Sequence, residues 1–133
     1  GDVNYVADTA HVSTSSAAVY LTTPVVLETL YTAIDVRLTS IITLTSSVAV
    51  YFRTTSSSAA RNVNDLSRIT FSTTGTSDST VTPSEDNETF KEYKYSTTGL
   101  DEFTAFQIKI VMKGTNSAYP PVIRDMRGIA LAV

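Results

Sequence analysis

Apolar and polar residues alternate along much of this chain, and this period of two limits its possible folds more than any other feature. In the segment 33–39, three aliphatic side chains fall on one face of an extended backbone and Asp35 and Arg37 fall on the other. The aliphatic residues are Ile34, Val36 and Leu38. This pattern predicts a β-strand with one buried face and one wet face.

Two further segments alternate in the same way. In Ser47–Arg53 the side chains expected to face inward are Val48, Val50 and Phe52. In Phe103–Lys113 they are Phe106, Ile108, Ile110 and Met112. We expect Ile108→Ala to cost about 2–5 kcal/mol because it leaves a cavity. Gln107 falls on the opposite face, so we expect Gln107→Ala to change stability by less than about 0.5 kcal/mol.

Shorter apolar runs predict the remaining strands, which we place at 18–21, 25–31, 67–72, 90–96 and 122–133. About eight short strands separated by turn-rich segments are typical of an all-β protein, and we predict an antiparallel β-sandwich of the jelly-roll type. The polar segment 72–87 is expected to be an exposed, mobile loop. The segment 114–121 is expected to form a long hairpin that closes the sheet.

Composition narrows the class of protein further. The 133 residues fit one domain, 1–133, and because the first residue is Gly1 we expect it to be a module or fragment of a larger protein. A net charge of -3 without a basic cluster argues against nucleic-acid binding. The chain has no cysteine and no apolar run long enough to cross a membrane, so we expect neither a thiolate site nor a membrane partner.

No set of residues in the sequence predicts catalysis. His11 is the single histidine, and no nucleophile motif surrounds it, so we interpret it as a surface or strand-end residue. The acidic segment 85–88 lacks the ligand spacing of a calcium loop and is interpreted as solvated. We therefore predict no catalytic residue, no cofactor and no metal.

One surface group is a candidate binding site. If the strands around Arg37 and Tyr51 pair, Arg37, Tyr51 and Arg53 form a polar platform with an aromatic ring, beside Asp35. Such a platform suits stacking on a sugar and hydrogen bonding to its hydroxyls. The alternatives are cross-strand ion pairs or contact with a neighbouring subunit.

Two stretches of the chain carry a family resemblance. Ser47–Arg53 resembles an aliphatic strand that ends in Val-Tyr-Tyr-Arg. The stretch from Phe103 to Ser117, followed by Pro121–Leu131, is similar to the closing motif of a domain in structural proteins of tailed bacteriophages. In that motif a Phe-Gln-Ile-Lys strand, a Ser/Thr/Asn hairpin and a Pro-x-Ile-x-Asp-x-Arg-x-Ile-Ala-Leu strand follow one another.

The resemblance implies a jelly-roll β-sandwich, similar in shape to galactose-binding-like modules, within a tail, baseplate, fibre or other virion protein. It implies no reaction. The partners expected from it are other copies of the chain or other virion proteins, in a homo-oligomer. A module that binds a cell-surface glycan is the alternative, and an enzyme is a third hypothesis that lacks a nucleophile with its base.

Overall fold

A computed structural model describes residues 3–6, 17–55, 66, 69–74, 77–78, 81–85, 88–115 and 121–132. These residues form nine β-strands and contain no α-helix. The strands are β1 (Val3–Val6), β2 (Ala17–Leu21), β3 (Val25–Tyr31), β4 (Ala33–Ile41), β5 (Ser46–Thr55), β6 (Ser72–Thr73), β7 (Lys91–Thr97), β8 (Phe103–Gly114) and β9 (Val122–Leu131). In the described ranges, no helix has the length and apolar character needed to cross a bilayer.

The strands form two antiparallel sheets. A four-stranded sheet has the order β1-β9-β4-β7, and a five-stranded sheet has the order β2-β8-β5-β6, with β3 also paired to β8. Four of the pairings are nested: β1 with β9, β2 with β8, β4 with β7, and β5 with β6. The pairings of β4 with β9 and of β5 with β8 join these pairs within the two sheets. A nested antiparallel ladder that wraps into two facing sheets is a jelly roll. The predicted fold class is therefore confirmed.

The two sheets bury their facing sides in one core. The inward residues predicted on β4 and β8 are 0–1 % exposed, and Val50 and Phe52 of β5 are buried with them. Val48 is half-buried against the same core. Alternation along a strand thus identified the core face correctly in all three segments. Phe103 is also buried, although the alternation does not require it, and its ring lies 6.1 Å from that of Phe106.

Gln107 is not a surface residue, and this expectation is wrong. Its side chain lies on the outer side of β8 but is only 4 % exposed. Its Oε1 accepts a hydrogen bond from Arg53 Nε at 2.9 Å, and its Nε2 donates to the Thr22 carbonyl at 2.8 Å. Thr22 also exchanges hydrogen bonds with Ile108, so the segment between β2 and β3 lies beside this part of β8.

Two strands and one connection differ from the sequence-based expectation. The predicted strand 67–72 is irregular at 69–71, where the Ile69 carbonyl and the Phe71 ring contact Arg53, and pairing with β5 begins at Ser72. The predicted closing hairpin is absent: β8 and β9 belong to different sheets, so the chain crosses between the sheets there. β1 was not predicted, since four residues are too short to show a period.

The segment 72–87 is not a freely exposed loop where it is described. The Thr74 amide donates to the Val50 carbonyl, Val81 packs against the core, and Ser84 is buried and donates to the Thr89 carbonyl. Asp78 binds the outer edge of β7 through its amide and its carboxylate. Polar composition alone did not reveal these bonds to distant strands.

Candidate functional site

The predicted platform of Arg37, Tyr51 and Arg53 does not form. β4 and β5 do not pair, because they belong to opposite sheets. Arg37 alternates with core residues of the four-stranded sheet, while Tyr51 and Arg53 alternate with core residues of the five-stranded sheet. The outward side chains therefore point away from opposite sides of the sandwich.

Tyr51 and Arg53 belong to a packed cluster on the outer side of the five-stranded sheet. Arg53 donates to Gln107 and, through Nη1, to the Ile69 carbonyl at 3.2 Å, and its guanidinium carbon lies 4.3 Å from the centre of the Phe71 ring. The ammonium of Lys109 lies 5.0 Å from the centre of the Tyr51 ring. These side chains are engaged with one another, and Arg53 in particular has a structural role at the surface.

Arg37 instead lies among charged residues from three neighbouring strands. On the outer side of the four-stranded sheet, Lys94, Arg37 and Arg127 stand opposite one another on β7, β4 and β9. Two residues further along the strands, Glu92, Thr39 and Asp125 stand opposite one another in the same way. We call these six residues the charged face.

The charged face encloses a shallow recess of about 220 Å³. Its lining residues are Arg37, Thr39, Glu92, Asp125 and Arg127. Lys94 Nζ lies 3.8 Å from the carboxylates of Asp35 and Asp78. Neither arginine of the recess forms an ion pair with another described residue, so their guanidinium groups remain able to bind a carboxylate from outside.

The opposite side of the sandwich carries exposed apolar side chains along β2 and the start of β3. Val19, Leu21 and Val26 are 64 %, 52 % and 39 % exposed. Their partners on β8 are Val111, Lys109 and Ala105, so all three side chains project outward from the five-stranded sheet. We call Val19, Leu21 and Val26 the apolar edge.

The remaining candidates from the sequence form no site in the described residues. His11, Asp86 and Asn87 lie outside them. Glu85 and Glu88 are exposed. Within the described ranges, no group of three or more His, Cys, Asp or Glu side chains is placed to hold a metal ion.

Besides Thr39, four charged residues of the charged face were missed in the sequence: Glu92, Lys94, Asp125 and Arg127. A local signal for them exists, because each pair stands two residues apart around a buried residue, Tyr93 or Met126, as Asp35 and Arg37 stand around Val36. That spacing places each pair on the outer side of its strand. Only the pairing of β4 with β7 and β9 brings these two pairs beside Arg37 and Thr39.

The fold places the chain among jelly-roll β-sandwich proteins. In sequence, it matches no protein-family model and no curated protein. In structure, it is similar to a chain of infectious bursal disease virus Gx strain, with a TM-score of 0.53 and 9% identity. The similarity covers 96% of this chain and 32% of the viral chain, so this chain spans about a third of the length of that one. At this identity the likeness concerns the fold alone.

Proposed function

We propose that this chain is a non-enzymatic structural or assembly module of a virus particle, and specifically of a tailed bacteriophage virion. The observation that carries the proposal is the jelly-roll β-sandwich fold, whose similarity to a chain of a virus covers 96% of the present sequence. Jelly rolls also occur in lectins and cupins, so the fold alone does not select a function. The resemblance of 103–131 to phage structural proteins is what favours a tail, baseplate, fibre or capsid-associated position.

The apolar edge supports a role that depends on contact. Val19 and Leu21 each expose more than half of their surface on one strand, next to the half-buried Val111. Contiguous exposed aliphatic side chains favour burial against a neighbouring molecule. In the proposed role, other copies or other virion proteins cover this edge.

The proposal includes the absence of catalysis. With one histidine and no cysteine in 133 residues, the chain has a narrow choice of bases and nucleophiles. We expect no turnover of esters, peptides or glycosides. Turnover that is lost on replacing His11 would contradict this part of the proposal.

Cysteine labelling tests the proposed role, because the natural chain has no thiol. Leu21→Cys should react with a maleimide in the free chain and be protected in purified particles that contain it. Thr98→Cys, at an exposed position after β7, is the control for labelling, because its thiol should also react in the free chain. Particles without the chain, or a Leu21→Cys thiol as reactive in particles as in the free chain, would contradict the proposal.

Recognition of a cell-surface glycan is the second candidate function. The recess of the charged face favours it, since guanidinium, carboxylate and hydroxyl groups there match the hydroxyls of a sugar. In this case a glycan array should give a saturable signal that Arg37→Ala abolishes. Lys113→Ala, an exposed residue on the other sheet, should leave the signal unchanged.

A further inference from the structure

The charged face consists of two rows of different character. The cationic row is Lys94, Arg37 and Arg127, and the acidic row is Glu92, Thr39 and Asp125. The rows are two residues apart along their strands, which is about 6.7 Å. Like charges placed directly opposite one another on neighbouring strands are destabilising. Within the chain, Lys94 is offset by Asp35 and Asp78, whereas Arg37 and Arg127 form no ion pair with another described residue.

These rows are complementary to themselves under one particular rotation. Consider an axis that runs parallel to the face, perpendicular to the strands and midway between the two rows. A half-turn about this axis puts the cationic row of one copy over the acidic row of a second copy. Lys94 then faces Glu92 of the second copy, and Arg127 faces its Asp125. A half-turn about an axis parallel to the strands would instead place like charges over one another, so charge selects the first arrangement.

The shape of the face agrees with its charge. The same half-turn brings Arg37 over Thr39 of the second copy. Thr39 is the short side chain in the middle of the acidic row, and it lies in the recess of about 220 Å³. On either side of Thr39 the recess offers the carboxylates of Glu92 and Asp125, and a guanidinium group binds carboxylates with directed hydrogen bonds. Arg37 and Arg127 of the same chain also line the recess.

We propose that the charged face is an interface between two copies of this chain, related by this twofold axis, in which Arg37 of each copy enters the recess of the other. The inference rests on the proposed assembly role. It adds the partner, which is a second copy of the chain, and the surface that binds it. A twofold interface uses the same patch on both subunits, as this one does. Because the pairs are polar, they determine orientation more than affinity, and the association weakens as salt rises.

Charge reversal on β9 tests the interface. In a pair of Arg127→Asp copies, Asp125 of each copy faces the introduced carboxylate of the other copy. In a pair of Asp125→Arg copies, Arg127 of each copy faces the introduced guanidinium group of the other copy. Each variant alone should associate about tenfold or more weakly than the natural chain in sedimentation at low salt. Both residues are exposed, so the fold should be unaffected.

Mixing the two variants gives the decisive result. In a mixed pair, the new carboxylate of the Arg127→Asp copy faces the new guanidinium of the Asp125→Arg copy. The unchanged Asp125 of the first copy faces the unchanged Arg127 of the second, so both contacts are attractive again. We therefore expect the mixture to associate where neither variant does alone. Lys113→Asp and Glu28→Arg change the net charge equally at exposed positions elsewhere and should associate like the natural chain.

Three outcomes overturn the inference. If the natural chain associates but both variants associate equally well, assembly uses another surface, and the proposed function stands without this interface. If the variants fail and their mixture also fails, the twofold arrangement is wrong. If the natural chain stays monomeric while Arg37→Ala removes a glycan signal, the recess is a sugar site, and the assembly role is overturned with the interface.

Discussion

Gln107 links three segments of the chain at one point on the outer side of β8. Its carboxamide accepts from Arg53 and donates to the Thr22 carbonyl, and it is 4 % exposed. Gln107→Ala removes both of these bonds, so we expect a loss of about 1–3 kcal/mol in urea unfolding. Lys113→Ala, on the same side of the same strand but exposed, should change stability by less than about 0.5 kcal/mol. Equal effects of the two substitutions would contradict this role.

Ile108 is the neighbouring residue that faces the core. It is 0 % exposed between the two sheets, so its expected environment is confirmed, and the cost of about 2–5 kcal/mol for Ile108→Ala stays a prediction. The same unfolding measurement checks it. A loss below about 1 kcal/mol would mean that the core collapses around the missing atoms.

β7 carries two buried tyrosines that make stability depend on pH. Burial raises the pKa of Tyr95 to about 12, and the nearby Tyr93 adds to the rise. In the unfolded chain a tyrosine ionises near pH 10, so between about pH 10 and 12 only the unfolded chain loses this proton. Stability therefore falls as pH rises through this window, by up to about 2–3 kcal/mol.

The variant Tyr95→Phe isolates this effect from the other groups that titrate at high pH. Unfolding midpoints in urea at intervals from pH 9 to about pH 12 should fall less steeply for the variant than for the natural chain. Tyr93→Phe removes the other hydroxyl whose pKa is raised by burial, so it should also make the fall less steep. Parallel curves for Tyr95→Phe and the natural chain would show that the pKa of Tyr95 is not raised.

The segment between β6 and β7 is held to the edge of β7 by Asp78. Its amide donates to the Lys94 carbonyl at 2.7 Å, its carboxylate accepts from the amide and hydroxyl of Ser96, and Lys94 lies 3.8 Å away. Asp78→Ala removes the carboxylate bonds, so we expect faster hydrogen exchange at Ser96 and faster proteolysis within 74–85. Asp78→Asn keeps one side-chain acceptor, so its rates of hydrogen exchange and proteolysis should lie between those of Asp78→Ala and the natural chain. Unchanged exchange at Ser96 in Asp78→Ala would contradict this anchoring role.

The whole molecule folds through pairings between distant parts of the chain. β1 pairs with β9, β2 with β8, and β4 with both β7 and β9, while the core is common to both sheets. Such topologies fold slowly, because the chain loses the entropy of closing long loops before the contacts between distant strands form. Stopped-flow tyrosine fluorescence should show refolding in about milliseconds to seconds and one cooperative equilibrium transition. Microsecond refolding would contradict this prediction.

The sequence by itself determined the strands that alternate regularly and which side of each faces the core. Successive side chains of a strand point to opposite faces, so the inward position of Ile34, Val50 and Ile108 followed from the residues next to them in the sequence. The tertiary structure decided which strands lie side by side, because β pairing joins residues far apart and leaves no local pattern. For this reason Arg37 lies beside Arg127 and not beside Tyr51, and Gln107 is buried although its strand alternates regularly.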